Sequence, residues 1–142
     1  MILQDENKTM SVQEKRLNIL IAEDEEYNYL FLSEILREYN INPARAYNGK
    51  MAIDICNTNP DIHLVLMDVR MPVMDGYEAT KQIKRFRPNL PIIAQTAFAM
   101  ESDRQQAINE GFDDYISKPI RTKELFDLIA KYAPQNCPLV KV

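Results

Sequence analysis

The strongest constraint on the fold of this chain is an alternation between short apolar runs and longer segments with helical spacing. The runs 18–22, 64–67 and 92–94 are almost continuously apolar, a pattern typical of strands that are buried on both faces. The segments between them, such as 32–39, carry apolar residues at i, i+3, i+4 and i+7, which is the spacing of a helix with one buried face. This alternation predicts βα units around a parallel sheet.

We predict five strands and five helices in strict alternation. The strands are expected at 18–22, 41–47, 64–67, 92–94 and 115–116. The second strand contains Pro43, which has no backbone N–H to donate, so we expect it at an edge of the sheet. Three helix starts carry side chains that can accept a hydrogen bond from the first turn. They are marked by Asn48, by Asp75 with Glu78, and by Ser102 with Gln105.

Composition limits the classes of protein to which the chain can belong. Its 142 residues fit one domain, and we predict a tail or linker at 1–16, a folded domain at 17–133 and a second tail at 134–142. The net charge of −4 argues against direct binding of nucleic acid. No apolar run approaches the ~20 residues of a membrane span, so no membrane contact is predicted. Cys56 and Cys137 form no motif, which predicts reduced thiols and a cytoplasmic location.

Polar side chains follow the predicted strands where each strand ends. Acidic residues 23–26 follow the first strand, Asp68 the third, Thr96 the fourth and Lys118 the fifth. Open parallel sheets bind ligands at the carboxyl ends of their strands. If the first and third strands are neighbours, three carboxylates share one patch and raise one another's pKa. A divalent cation that prefers oxygen ligands would relieve this repulsion, and Mg²⁺ fits best.

Each of these residues also has an ordinary interpretation when it is taken alone. Acids at 23–26 stabilise the start of a helix, and Asp68, Thr96 or Lys118 can each be a turn residue. The joint placement of the four elements at different strand ends favours a functional site. We interpret the basic residues at 81–87 as the solvated face of the third helix. His63 we interpret as an ordinary surface residue.

The sequence resembles the receiver domain of two-component response regulators. The stretch 64–76 (LVLMDVRMPVMDG) matches the most specific segment of that family, and Glu23-Asp24, Thr96-Ala97 and Lys118-Pro119 occur in the matching order. The resemblance covers about residues 17–132. It implies an α/β, flavodoxin-like fold with five parallel strands in the order 2-1-3-4-5 and five flanking helices, which agrees with a Pro43-containing edge strand.

The resemblance implies a Mg²⁺-dependent phosphoacceptor site. Asp68 matches the phosphoacceptor. Asp24, Asp68 and the backbone carbonyl of Arg70 match the direct metal ligands, and Glu23 matches an acid that acts through a metal-bound water. The implied donor is a histidine kinase or a histidine phosphotransfer protein, so His63 is not the donor. The chain would catalyse its own phosphotransfer and lose the phosphoryl group slowly.

The resemblance also implies how the signal leaves the domain. Thr96 matches a residue that binds a phosphoryl oxygen, Lys118 matches one that pairs with the carboxylate or phosphoryl group, and Tyr115 matches an aromatic switch. The face formed by the fourth helix, fifth strand and fifth helix would then change shape, with a phosphorylation-dependent homodimer as one outcome. Arg70 and Phe98 are bulky for their positions, and we hypothesise that they slow loss of the phosphoryl group.

Three alternatives remain at this point. A Mg²⁺-dependent phosphatase with an aspartyl nucleophile commonly has a second Asp where this chain has Arg70. A flavodoxin-type FMN carrier needs a phosphate-binding loop where this chain has acids 23–26. A pseudo-receiver would bind partners without phosphorylation. For a true receiver, the chain is either a stand-alone response regulator or the receiver of a hybrid sensor histidine kinase, whose full length would be the kinase.

Overall fold

The protein forms a five-stranded parallel sheet flanked by five helices. The computed structural model describes residues 15–97 and 100–141. The strands are β1 (Asn18–Ala22), β2 (Asn42–Ala46), β3 (Leu64–Asp68), β4 (Ile92–Thr96) and β5 (Asp114–Ser117). The helices are α1 (Glu26–Glu38), α2 (Gly49–Thr58), α3 (Gly76–Phe86), α4 (Glu101–Asn109) and α5 (Thr122–Tyr132). The sheet order is β2-β1-β3-β4-β5, which confirms the predicted α/β, flavodoxin-like topology.

The register of the central strands decides which loops meet. β2 lies at an edge, as Pro43 predicts, and pairs only with β1. Between β1 and β3, Ala22 stands opposite Met67. Between β3 and β4, Asp68 stands opposite Gln95. The β1–α1 loop therefore begins beside the carboxyl end of β3.

Two apolar layers hold the sheet between the helices. Successive strand residues point to opposite faces, so Leu20 joins one layer and Ile21 the other. The first layer includes buried residues of α2, α3 and α4, and the second includes buried residues of α1 and α5. All residues of β3 and β4 are buried, as expected for near-continuous apolar strands. Among the described residues, no helix has both the length and the apolar character needed to cross a membrane.

The chain beyond α5 continues to pack on the domain. Cys137 is buried in the same layer as Leu17, and the backbone N–H of Lys15 donates to the carbonyl of Asn136 at 3.4 Å. The division into two tails and a domain stays a prediction. Most of the predicted first tail lies outside the described residues.

Two of the three predicted helix caps are present. The side chain of Asn48 accepts from the N–H of Met51 at 2.8 Å, and the side chain of Asp75 accepts from the N–H of Glu78 at 2.9 Å. The prediction for Ser102 is wrong, because the cap position of α4 is Met100, two residues earlier, and Ser102 lies inside the first turn.

Candidate functional site

Three acids meet at the carboxyl ends of β1 and β3. One carboxylate oxygen each from Glu23, Asp24 and Asp68 can be chosen so that all lie within 4.8 Å of one another. Glu23 is 1% exposed and Asp68 is 6% exposed, whereas Asp24 is exposed to solvent. The structure thus brings together the patch that the strand ends predict. Its exposed side faces a groove of about 620 Å³ beside the loop after β3.

Lys118 supplies the positive charge of this site from the end of β5. Its Nζ lies 2.9 Å from Oδ2 of Asp68 and 3.1 Å from Oε1 of Glu23. Burial alone would lower the pKa of the Lys118 ammonium, but the hydrogen bonds and charges of Asp68 and Glu23 outweigh burial and raise it. A single ammonium therefore bridges two buried carboxylates.

The remaining negative charge is not fully compensated. Burial, followed by the charge of Asp68, raises the pKa of Glu23 to about 7, although Lys118 opposes both effects. The second oxygen of Glu23 accepts the N–H of Glu25 at 3.2 Å. Clustered carboxylate oxygens are the donor set that Mg²⁺ prefers, so the chemistry of these residues fits a hard divalent cation.

The Asp68 side chain is oriented by donors on two sides. Oδ1 accepts the backbone N–H of Arg70 at 3.0 Å, and Oδ2 accepts from Lys118. The loop after Asp68 passes close to two glycines. A Cβ on Gly76 would lie 2.3 Å from the carbonyl oxygen of Asp68, and a Cβ on Gly49 would lie 2.5 Å from the carbonyl oxygen of Met74. The sequence motif includes Gly76, but only the fold reveals the need for Gly49.

Thr96 and Tyr115 occupy neighbouring strands beside the acidic cluster. Thr96 is 4% exposed at the end of β4, and its carbonyl accepts the N–H of Lys118 at 2.7 Å. Tyr115 is half-buried in β5, opposite Ala94 of β4, and contacts the layer that includes α4. Burial, with a smaller contribution from Asp103, raises the pKa of the Tyr115 phenol. Their roles in switching stay predictions, and Phe98 lies outside the described residues.

Arg45 is a site residue that sequence reasoning missed. It extends from edge strand β2, and its Nε donates to the carbonyl of Glu23 at 3.3 Å while Nη2 donates to the carbonyl of Asp24 at 3.4 Å. The nearest sequence signal is an arginine in an edge strand, which predicts nothing by itself. Only the pairing of β2 with β1 places it under the acidic loop.

Two interpretations of individual residues are wrong. Lys84 and Arg87 are not part of a solvated helix face, because both are half-buried and donate to backbone carbonyls of neighbouring loops. His63 is also half-buried, and its Nδ1 accepts the N–H of Asn18 at 2.9 Å. Both errors arise from contacts between elements that are distant in sequence.

Comparison with known proteins agrees with this geometry. The family model for the response regulator receiver domain matches residues 19–130. Hybrid signal transduction histidine kinase I of Dictyostelium discoideum is 34% identical over 130 residues, which cover 83% of this chain. The chain spans only 8% of the length of that kinase.

Two similar solved structures contain receiver domains. A chain in the co-crystal of the Saccharomyces cerevisiae phosphotransfer protein Ypd1 and the Ssk1 receiver domain has a TM-score of 0.78 and 32% identity. The match covers 83% of this chain and 89% of that one. The receiver domain of the Pseudomonas aeruginosa sensor histidine kinase PA1611 has a TM-score of 0.76 and 31% identity, with 83% and 98% covered. That structure holds a magnesium ion in its active-site cleft.

Proposed function

Because this chain belongs to the response regulator receiver family, we propose that Asp68 accepts a phosphoryl group from a histidine of a partner protein in a Mg²⁺-dependent reaction. The observation that carries this assignment is the setting of Asp68. Its carboxylate is oriented by Arg70 N–H and Lys118, and two further acids lie within 4.8 Å.

The donor set supports Mg²⁺ as the cofactor. We assign Asp24 and Asp68 as direct ligands together with the backbone carbonyl of Arg70, and Glu23 as a ligand through a metal-bound water. When bound, the ion supplies positive charge to the phosphoryl oxygens and neutralises the acidic cluster. Exposure of Asp24 leaves one side of the site open to an incoming donor.

The Asp68 carboxylate acts as the nucleophile. A bond forms between its oxygen and phosphorus while the histidine N–P bond breaks, and that electron pair stays on the imidazole nitrogen, which takes up a proton. Positioning and charge compensation account for most of the catalysis of such a transfer. Lys118 compensates charge on the carboxylate and phosphoryl group, and the Thr96 hydroxyl binds a phosphoryl oxygen.

Helix α1 offers a docking surface for the donor protein. Tyr27, Leu30 and Phe31 are 73%, 48% and 41% exposed, and exposed apolar side chains that cluster mark interaction surfaces. A cavity of about 280 Å³ lies between α1 and the loop after β5, next to Lys118. These features support a histidine kinase or a histidine phosphotransfer protein as the donor. That nucleic acid has no direct role stays a prediction from the net charge.

Phosphorylation would be transmitted through Thr96 and Tyr115. Movement of Thr96 toward the phosphoryl group would free space for the ring of Tyr115, and the α4-β5-α5 face would change shape. A shift from 1:99 to 99:1 requires a differential affinity of about 5.5 kcal/mol, so a partner or a second copy of the chain is expected to complete the switch. Arg70 and Phe98 are proposed to slow hydrolysis of the aspartyl phosphate.

The proposal is tested by phosphorylation with acetyl phosphate. With Mg²⁺ the protein should form an acid-stable, base-labile adduct that mass spectrometry assigns to Asp68, and chelation of the metal should prevent it. Asp68→Asn should abolish the adduct, whereas Asp75→Asn, which changes an exposed helix cap of the same loop, should retain it. An adduct that persists in Asp68→Asn would refute Asp68 as the acceptor. No adduct in the wild type would refute the proposal as a whole and favour a pseudo-receiver.

A second incubation, with a phosphate ester in place of acetyl phosphate, separates the enzymatic alternative. A phosphatase would turn over many equivalents of a phosphate ester, whereas a receiver should stop near one phosphoryl group per chain. We propose that the chain works in the cytoplasm, either as a stand-alone response regulator or as the receiver domain of a hybrid histidine kinase. Sequencing the gene upstream of this segment would distinguish these two.

A further inference from the structure

Arg45 connects edge strand β2 to the loop after β1, which carries Glu23 and Asp24. Its side chain is 9% exposed, although β2 is an edge strand. The guanidinium carbon lies 4.5 Å from the ring centroid of Tyr29 and 4.2 Å from that of Tyr47. An arginine this close to two aromatic rings gains cation–π attraction and loses much of its freedom to rotate.

The same guanidinium bonds the loop that carries two of the three acids. Nε and Nη2 donate to the backbone carbonyls of Glu23 and Asp24, and Nη1 pairs with the carboxylate of Glu26. The N–H of Glu23 also donates to the carbonyl of Ala46 at 3.0 Å. The consecutive peptide groups that set the direction of the Glu23 and Asp24 side chains are thus tied to β2.

From this geometry we infer that Arg45 is a positioning residue that pre-orders Glu23 and Asp24 for binding of a divalent cation. The inference rests on the proposed function of the acidic cluster. The guanidinium of Arg45 donates to main-chain carbonyls of the loop and to the carboxylate of Glu26, which is not one of the three clustered acids. Its effect is to reduce the conformational freedom that the loop would otherwise lose when the cation binds.

The planar fork of arginine is required for this role. Three nitrogens donate to three different acceptors while the guanidinium carbon lies close to two aromatic rings. A lysine ammonium cannot reproduce that arrangement. Arg45→Met should keep much of the contact with Tyr29 and Tyr47 but remove the three side-chain hydrogen bonds. Arg45→Lys should restore the charge without the fork.

The test measures Mg²⁺ binding by calorimetry and amide hydrogen exchange of the metal-free full chain. Arg45→Met should weaken Mg²⁺ binding about tenfold and increase exchange at residues 24–26. Arg45→Lys should recover only part of either effect. Acetyl phosphate should still phosphorylate Arg45→Met fully once Mg²⁺ is saturating, because Arg45 acts on the loop and not on the phosphoryl group. Arg37→Met is the control, because Arg37 lies on α1 and its side chain bonds Ser33 of the same helix. It should change neither Mg²⁺ affinity nor amide exchange at residues 24–26.

The outcomes separate this role from a purely structural one. If Arg45→Met lowers the melting temperature but leaves Mg²⁺ affinity and exchange of the loop unchanged, the inference is wrong. If Arg45→Met does not fold, Tyr47→Leu replaces it in the test, because it removes one ring from a half-exposed position. This variant should also weaken Mg²⁺ binding and increase amide exchange of the loop. If the wild type binds no Mg²⁺, the metal assignment fails, while exchange of the metal-free loop still decides whether Arg45 orders it.

Discussion

Replacement of Arg87 should be among the most destabilising changes at the amino ends of the strands, the end of the sheet opposite the acidic cluster. Its guanidinium donates to four backbone carbonyls, one in the last turn of α2 and three in the loop between α2 and β3. The acceptors are Cys56 at 3.2 Å, Asn59 at 3.2 Å, Pro60 at 3.3 Å and Ile62 at 2.7 Å. Arg87 therefore fixes the α2–β3 loop to the end of α3.

The magnitude follows from the surroundings of these bonds. A hydrogen bond from a charged donor contributes about 1.5–3 kcal/mol when it is shielded. The bond to Pro60 is exposed, so its contribution to the free energy of unfolding is close to zero. The other three bonds are only partly buried. Water can replace part of what is lost, so we expect Arg87→Met to reduce the free energy of unfolding by about 2–4 kcal/mol. For a chain of this size that corresponds to a fall in melting temperature of roughly 7–13 °C.

Urea denaturation followed by circular dichroism measures this loss. Arg85→Met is the matched control, since Arg85 lies two residues earlier and is exposed, and its side chain has no hydrogen bond or ion pair within the part of the chain that the structure describes. Arg87→Lys should be intermediate, because one ammonium cannot reach all four acceptors. Equal stabilities for Arg87→Met and Arg85→Met would refute the view that these bonds stabilise the fold.

Three other changes have signs that follow from the structure. The Gln95 amide is buried and has no hydrogen-bond partner among the described residues. Gln95→Leu should therefore raise the free energy of unfolding, measured in urea, by about 1–3 kcal/mol. A lower free energy of unfolding in this variant would show that the amide is hydrogen-bonded. Val73 is 79% exposed and has a left-handed backbone with φ of 70°. Val73→Gly should raise the melting temperature slightly, because removing about 1–2 kcal/mol of backbone strain exceeds the ~0.5–1 kcal/mol entropic cost of glycine. Burial lowers the pKa of His63 below 6.5, so its contribution to stability is complete above pH 6.5 and is lost as the pH falls through the lower, folded-state pKa. Between pH 7 and 5, urea titrations should therefore show a larger loss for the wild type than for His63→Gln, and parallel curves would contradict this reasoning.

The pattern of apolar residues was sufficient to predict most of the sheet. β1 and β3 are almost fully apolar because both their faces are buried, and Pro43 placed β2 at an edge through its missing donor. The site residues could be predicted because strand ends are visible in sequence and parallel strands end at one edge. Local rules failed at Ser102, which does not cap α4 because the cap position is Met100, two residues earlier.

The sequence by itself determined the fold class, the strand order through resemblance, and the identity of the acids, hydroxyl and lysine at the strand ends. Only the tertiary structure showed that Lys118 bridges Asp68 and Glu23, and that Arg45 and Arg87 bind carbonyls far away in sequence. The physical reason is that hydrophobic periodicity is a local property of the chain. The partner of a long cationic side chain is instead decided by strand register and helix packing, which bring distant backbone groups within about 3 Å of it.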